Sequence, residues 1–598
     1  MNRPRPLLLA LWAGLATGAS EALLLGFQRH LLHRLIFLSD DFWWMAPLGE
    51  ALLFAPLGLV LEGATWRLAP DRRWRVSLFA VMSLAGFAIL RMYPPLHWAA
   101  GLLISAGAAA QLSRWVGSAP RWFLRTIPLS ALLIVLLGLA AGVVPRVLAR
   151  ERLQHDARAQ PVARDGAPNV LIILLDTVRA MSLSLYGYER ETSPRLTRWA
   201  AEGVTFERTI APAPWTLPSH ASLFTGRWPH QLGLDWHVGL GAGPPTLAEA
   251  FAARGYRTAG FVGNTIYCSE ETGLNRGFAH WEAYPVSPAM ILKSTALGRL
   301  LSGTALFQRL TGGDLPLDRR HAPAISSGLL HWLEPASDRP YFAFLNYFDA
   351  HAPYLPPPGW SGRFGPEGKR RNLDLEPGWP YTPEEVESQH NAYDASVAYL
   401  DDQIGRLLDS LDRRGALRNT IVVITADHGE EFREHGFMDH GNTLYRPSVQ
   451  VPLLIRFPGH LPSGARVRVP VSLRNLGATL LALAGIGDAA FPGRSLARTW
   501  ASPESLTIAT PDTILSEVNF TPGLPDNYPV SHGRLQALME SGLRYIRNAD
   551  GPAELYDFDD DAGETRNLAP GRPDQATRLG ATLDRITVDR LEPGSRRR

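Results

Sequence analysis

A chain of 598 residues is too long for one small domain, and its apolar residues, 46% of the total, are unevenly spread. A formal net charge of +2 gives no case for a nucleic-acid partner. The single cysteine, Cys268, excludes an intrachain disulfide, so cysteine usage says nothing of compartment.

The first 150 residues read as membrane. Leu7–Phe27 is apolar with one charge, Glu21, and Phe42–Leu61 is apolar with Glu50. Val76–Leu90 and Leu96–Leu112 are shorter, and Thr126–Val144 carries no charge. A helix crosses a bilayer with ~20 apolar residues, ~17 at the low end, so the reading is about five spans. Arg3 and Arg5, then Arg67, Arg72, Arg73 and Arg75, then Arg114, Arg121 and Arg125 fall on one side of five spans. Basic residues mark the cytoplasmic side, so everything after Val144 is expected outside the cytoplasm, at the cell membrane. Arg29, Arg34, Arg146, Arg150 and Arg152 run against the pattern, which a large translocated domain tolerates. Glu21 and Glu50 are expensive in lipid and are function candidates, unless they face the bundle interior or pair locally.

Residues 151–168 read as a linker after a short helical extension, and strands alternate with helices from Asn169 onward. Asn169–Leu175 is an apolar run ending at Asp176, and Ile421–Ala426 repeats the design before Asp427 and His428. Each reads as a buried strand delivering polar groups at its C-terminal end, where open α/β sheets place ligands. Tyr341–Tyr347 is a third such strand, leading to Asp349 and His351. Between them, Trp215-Thr-Leu-Pro-Ser places Pro218 and Ser219 in the first turn of a helix, with the Thr216 hydroxyl at its start. Free backbone N–H groups and the helix dipole favour an anion there, so Thr216 is a candidate nucleophile toward a phosphate or sulfate ester. The alternative is a threonine that only caps a surface helix. Asp176, Thr216, Asp427 and His428 together offer oxygen and imidazole ligands to one divalent metal. Zn²⁺ or Mn²⁺ suits the imidazole better than Ca²⁺, which prefers oxygen alone. Thr246–Arg254 and Thr382–Arg414 read as helices and Thr258–Gly263 as a strand. Pro288–Leu310 reads as a mostly apolar helical insert, packed against the catalytic domain or pressed on lipid.

These motifs resemble the sulfatase family of the alkaline phosphatase superfamily. The resemblance runs from about Asn169 to Ala569 and includes Thr216-x-Pro-Ser-x-x-Ser-Leu-x-Thr-Gly226, Asp427-His-Gly-Glu430, Asp439-His-Gly-Asn-Thr-Leu-Tyr445 and the stretch Glu554-Leu-Tyr-Asp to Asn567-Leu-Ala. It implies an α/β catalytic domain with a central mixed sheet and helices on both faces (169–465) and a smaller C-terminal subdomain (466–598), which follow the α-helical transmembrane bundle (1–150) read from the apolar runs. Val471–Gly485 resembles the helix that opens that subdomain. The family's nucleophile is a Cys or Ser oxidised to formylglycine, and threonine cannot yield that aldehyde. Thr216 therefore departs from the sulfatases. It resembles phosphoethanolamine transferases and lipoteichoic acid synthases, which also join about five spans to an external catalytic domain.

By the same resemblance, Asn264 stands where the family has an anion-binding lysine and His220 where it has a substrate-binding arginine. His440 replaces a further lysine, and His351 matches the histidine that flanks the bound ester. His351 and His440 are then expected to donate to the leaving-group or equatorial oxygens, or to help hold a second metal. The expected activity is metal-dependent hydrolysis or transfer of phosphate-type esters of envelope lipids or glycans through Thr216. The alternatives are a sulfuric ester hydrolase using unmodified threonine, and a catalytically weak membrane scaffold that binds an envelope glycan or lipid.

Overall fold

In the computed structural model of the chain, the described residues are 5–32, 34–93, 95–116, 121–159, 161–284, 286–302, 304, 319–334, 337–368, 378–487, 491–500, 513–521 and 523–588. The chain forms two compact units, Met1–Ala159 with Tyr284–Leu317, and Gln160–Ala283 with Asp318–Arg598.

The first unit contains helices α1 (Pro6–His30), α2 (Phe42–Ala64), α3 (Pro70–Leu90), α4 (Trp98–Val116) and α5 (Arg121–Ala159). Among the described residues, four segments are long and apolar enough to cross a membrane: α1, α2, α3 and Arg125–Pro145 within α5. The fourth expected span, α4, forms a helix of 19 residues outside that set. Its Ala, Gly and Ser content, with Gln111 and Arg114, dilutes the apolar character. It lies antiparallel on α3, where a Cβ at Gly86 would be 3.0 Å from Ser105 Cβ. Small residues at such a crossing let helix backbones approach where lipid supplies no hydrophobic drive. Leu129, Leu132, Leu133, Leu136 and Leu137 on α5 are exposed, the surface expected of a helix facing acyl chains. The helical extension after the last span continues to Ala159, further into the expected linker than its charged sequence suggested.

The insert that follows Ala283 differs from expectation. Pro288–Lys293 and Ala296–Ser302 are separate short helices, and they belong to the first unit rather than packing on the catalytic domain; residues 305–310 of the expected insert lie outside the described residues. Gly49 on α2 allows the approach: a Cβ there would meet Thr295 Cγ2 at 2.6 Å and the Ile291 carbonyl oxygen at 2.8 Å. Ser294 donates to Met45 Sδ at 3.7 Å. Ala296 N–H donates to Glu21 Oε2 at 2.9 Å, and Leu297 N–H donates to Glu50 Oε1 at 3.3 Å. The two carboxylates, both fully buried, thus satisfy backbone donors that a helix start leaves free. The intramembrane acids have partners after all, supplied by residues some 250 positions away in sequence.

The second unit is built on a nine-stranded sheet. Its strands are β1 (Asn169–Leu175), β2 (Val204–Ile210), β3 (Arg257–Val262), β4 (His280–Glu282), β5 (Tyr341–Tyr347), β6 (Thr420–Ala426), β9 (Gln450–Arg456), β10 (Ala465–Val467) and β11 (Val471–Ser472). β7 (Glu431–Phe432) and β8 (Met438–Asp439) form a separate hairpin. The order is β10-β2-β9-β6-β1-β5-β3-β4, with β11 also on β2, and β9 runs antiparallel to both neighbours. β1 is central and buried along its length except at Asn169, which explains a run with no alternation. The long helix starts at Pro383 rather than one residue earlier because Thr382 caps it, its hydroxyl accepting from Glu385 N–H while Glu385 accepts from Thr382 N–H. The C-terminal part adds an antiparallel sheet, β12 (Ile514–Val518), β13 (Leu535–Glu540), β14 (Leu543–Arg547) and β15 (Glu554–Asp557). Leu579 and Leu583 of helix Pro573–Thr587 close its core with Leu515, Leu538 and Leu555.

Replacing both Glu21 and Glu50 by Ala leaves two buried N–H groups without acceptors, at about 1–3 kcal/mol each. The insert should then leave its seat on α2. A cysteine pair made by Met45→Cys and Ser294→Cys should cross-link under mild oxidation with both acids present and lose that cross-link in the double-Ala background. Equal cross-linking in both backgrounds would show that the acids do not hold the insert.

Candidate active site

The parallel pairing of β6, β1, β5 and β3 brings their C-terminal ends to one edge. Asp176 follows β1, Asp427 and His428 follow β6, and Asn264 lies just beyond β3. Trp215 is extended, with φ −155° and ψ 163°, and Thr216 then opens helix Thr216–Thr225. That helix ends at Gly226, whose φ of 65° terminates it; a Cβ there would lie 2.2 Å from the Pro492 carbonyl oxygen. Ser219 of its first turn donates to the Asp427 carbonyl at 2.6 Å, tying the helix start to the end of β6.

Four candidate ligand atoms converge here. His428 Nε2 lies 3.3 Å from Asp427 Oδ2, 3.5 Å from Thr216 Oγ1 and 3.8 Å from Asp176 Oδ1. His428 Nδ1 is 3.0 Å from the Gly429 carbonyl, to which its N–H donates, and this leaves the Nε2 lone pair for a metal. Asp176 uses its other oxygen, Oδ2, to accept from Asn346 Nδ2 at 3.1 Å and Asn264 Nδ2 at 3.2 Å. Asp427 uses Oδ1 to accept from Thr177 N–H at 3.3 Å. The inward oxygens, Asp176 Oδ1 and Asp427 Oδ2, are buried and accept no hydrogen bond. Two bare carboxylate oxygens and one imidazole lone pair, all fully buried, fit a divalent cation. Without one, burial and then the charge of Asp176 push Asp427 well above the usual carboxylate range. Burial likewise pushes Asp176 up to about 6, against the hydrogen bonds from Asn346 and Asn264.

Asn264 links the ligands to the nucleophile position. Its Nδ2 also reaches Thr216 Oγ1 at 3.3 Å, while its Oδ1 accepts from Ile266 N–H and Tyr267 N–H at 3.1 and 3.0 Å. The amide is therefore fixed with its donor side toward the place an ester oxygen would occupy.

His351 and His440 sit over the same cluster with opposite electrostatics. The rings of His428 and His440 are 4.5 Å apart, and those of His351 and His440 4.9 Å. His351 Nδ1 donates to the Ala352 carbonyl at 2.7 Å; burial, then the charge of His440, holds it well below the usual histidine range. His440 Nδ1 lies 2.9 Å from Asp439 Oδ1 and 3.1 Å from Glu430 Oε1. Burial opposes its charge, but Glu430 and Asp439 raise it well above the usual range. The two imidazoles are thus shifted in opposite directions, His351 down by burial and His440 up by Glu430 and Asp439.

His220 is placed differently from the substrate contact the resemblance implied. It is fully buried behind the cluster, with Nδ1 2.8 Å from the Thr216 carbonyl and 3.4 Å from Asp427 Oδ2, and its ring edge-on to Phe224 and Phe344. Burial lowers it to about 4, and its Nδ1 faces both the helix start at Thr216 and the candidate ligand Asp427. Cys268 is also buried, and burial, then the charges of Asp176 and Asp427, pushes its thiol well above the usual range. Sequence reasoning missed Asn346, Glu430 and Asp439 as supports. Asn346 was legible as the one strongly polar residue of strand Tyr341–Tyr347, and the two acids stand within motifs already singled out. Thr177, in the left-handed region at φ 62°, had no sequence signal.

A family model described as Sulfatase matches residues 168–486. The steryl-sulfatase of Mus musculus is 28% identical over 462 residues, covering 61% of this chain and 69% of its own. A sulfatase of Formosa agariphila is 26% identical over 454 residues, covering 69% and 85%. The structure of a phosphonate monoester hydrolase of Agrobacterium radiobacter superposes with a TM-score of 0.54 at 21% identity, covering 70% of this chain and 95% of that one, a likeness of fold.

Asp427→Asn combined with His428→Ala removes two of about four ligands and leaves no closed coordination sphere. Elemental analysis of that variant should find no bound divalent metal. Wild-type stoichiometry would show that the cluster does not hold it.

Proposed function

The chain belongs to the sulfatase family, and from that premise we propose that it is a membrane-bound enzyme that hydrolyses or transfers phosphate-type esters of cell-envelope molecules through Thr216. The observation that carries this reading is a plain hydroxyl at the nucleophile position, 3.5 Å from His428 Nε2 and 3.3 Å from Asn264 Nδ2. Neither a cysteine nor a serine stands there to be converted to formylglycine.

A divalent metal, Zn²⁺ or Mn²⁺ before Ca²⁺, held by Asp176, Thr216, Asp427 and His428 would polarise the ester and lower the pKa of the Thr216 hydroxyl. The residues supply the rest. Thr216 Oγ1 attacks the phosphorus in line, its proton passing to His351 as the P–O bond to the alcohol breaks; Asn264 Nδ2 donates to an oxygen of the anion, and the His440 imidazolium steadies the charge and protonates the departing alkoxide. In the second step water or a second hydroxyl attacks the phosphorus of the phospho-threonine and gives its proton to His440, while Thr216 leaves as the alkoxide and takes its proton back from His351. Glu430 and Asp439 hold His440 protonated for this task.

A second reading is sulfate-ester hydrolysis by the same unmodified Thr216, favoured by the likeness to the Mus musculus steryl-sulfatase. Phosphate monoesters, phosphodiesters and sulfate esters of one alcohol, assayed with added Mn²⁺, Zn²⁺ or Ca²⁺, separate the two: the first reading expects the phosphate-type esters to turn over faster. Under both readings the peptide carrying Thr216 should have its unmodified mass at rest, and acid-quenched turnover should leave the labelled acid on Thr216. Thr216→Ala should lose nearly all activity and Thr216→Ser should keep part of it, with a residual rate from binding alone of ~10³-fold over water. Near wild-type turnover by Thr216→Ala would leave the hydroxyl only a capping role.

For location, we propose that α4 crosses the membrane with the four more apolar segments, because it pairs with α3 along its length. Five crossings from a cytoplasmic N-terminus put the catalytic unit outside. A reporter fused after Val144 should be active only outside the cytoplasm, and activity inside would overturn the crossing number or the orientation.

A further inference from the structure

Five non-glycine residues hold a left-handed backbone among the described residues: Thr177, Arg433, Asp439, Ser541 and Glu564. Only Thr177, at φ 62°, is β-branched, and a branched Cβ makes that conformation unfavourable. Strain of this kind persists where the surroundings over-determine it. It sits here directly after Asp176, and the conformation has a visible use. Thr177 N–H donates to Asp427 Oδ1 at 3.3 Å, while Asp427 Oδ2 stays bare and faces the cluster. The Thr177 hydroxyl donates to the Asp176 carbonyl at 2.7 Å, so the residue serves Asp427 through its backbone and not through its side chain.

The group that holds Thr177 in place comes from a helix more than 200 residues further along the chain. Tyr393 belongs to helix Pro383–Arg413 and is fully buried. Its hydroxyl donates to the Thr177 carbonyl at 2.9 Å and accepts from Arg179 N–H at 3.1 Å. One phenol thus grips the chain on both sides of Val178. Burial pushes this phenol up, so it keeps the proton that it gives to Thr177. The ring is itself packed, edge-on to Tyr354 at 5.4 Å and tilted on Phe432 at 5.1 Å. Arg179 is tied down at its other end: Nε donates to Ser182 Oγ at 2.8 Å and Nη1 to the Glu430 carbonyl at 3.1 Å. Removal of the phenol oxygen takes a partner from two buried backbone groups at once, Thr177 C=O and Arg179 N–H. Thr177 then loses a bond that opposes its strain, and relaxation to negative φ would swing its N–H away from Asp427.

We propose that Tyr393 is a positioning residue for the metal site and acts through Thr177: its hydroxyl holds the left-handed conformation that orients Asp427. The inference rests on the reading of Asp176, Asp427 and His428 as ligands of a divalent cation.

The test measures the Mn²⁺ affinity of the full chain against a competing chelator. Tyr393→Phe keeps the ring and should bind Mn²⁺ about tenfold more weakly, a loss typical of a group that orients a ligand. Glycine takes positive φ readily, so this loss should depend on what stands at position 177. In a Thr177→Gly background, adding Tyr393→Phe should weaken Mn²⁺ binding by less than about twofold. An equal loss in both backgrounds overturns the proposal, as does unchanged affinity in Tyr393→Phe alone. Failure of Tyr393→Phe to fold supports it if the double variant folds and binds Mn²⁺, and overturns it if the double variant also fails. If the wild type binds no divalent metal, the reading of the ligands fails, and amide hydrogen exchange of the metal-free protein decides the role of Tyr393. The peptide spanning 176–182 should exchange faster in Tyr393→Phe than in the wild type, and that difference should vanish in the Thr177→Gly background. The same difference in both backgrounds, or none in either, overturns it.

Discussion

Two carboxylate oxygens with no hydrogen-bond donor, Asp176 Oδ1 and Asp427 Oδ2, face one imidazole lone pair at the buried edge of a parallel sheet. Like charges so placed and so desolvated are unfavourable without a cation. Much of the surrounding architecture serves that arrangement. Asn346 and Asn264 turn Asp176, the Thr177 N–H turns Asp427, and the Gly429 carbonyl sets the tautomer of His428. His220 braces the cluster from behind as a neutral group, where a charged arginine could not sit without a partner.

Over that cluster, electrostatics divide two histidines of similar burial into different roles. His440 has two carboxylates at its Nδ1, and His351 has only a backbone carbonyl. The difference shifts the one up and the other down, without any difference in residue type. Sulfatase-family membership accounts for the sheet and the metal-binding pattern. The hydroxyl at Thr216 is where this chain departs from the family's nucleophile, and it is this departure that directs the proposed chemistry.

In the first unit the constraint is different. Lipid offers no partner to a carboxylate or to a free backbone N–H, so each solves the other's problem: Glu21 and Glu50 receive the first donors of helix Ala296–Ser302. The insert is thereby bound into the membrane unit, although its sequence lies between strands of the catalytic sheet. The chain passes between the two units not once, at residue 160, but again on entering and leaving this insert.

The sequence by itself determined the apolar helices, the strand runs ending at Asp176 and Asp427, the helix start at Thr216, and the family. All of these are local: a run of apolar residues, a cap, or a short ordered motif carries its own signal. It also held the candidate ligand set Asp176, Asp427 and His428, because strand C-termini in a parallel sheet meet at one edge. Tertiary structure alone decided which atoms face inward and which are used up. His220 stands by motif position where the family has a substrate-binding arginine, yet its ring packs edge-on to Phe224 and Phe344. Asn264 reads equally as a turn residue, yet it bridges Asp176 and Thr216. Glu21 and Glu50 carry no hint of partners some 250 residues away. Such pairings depend on how distant segments pack, and no local periodicity encodes the side of a side chain that a remote neighbour will occupy.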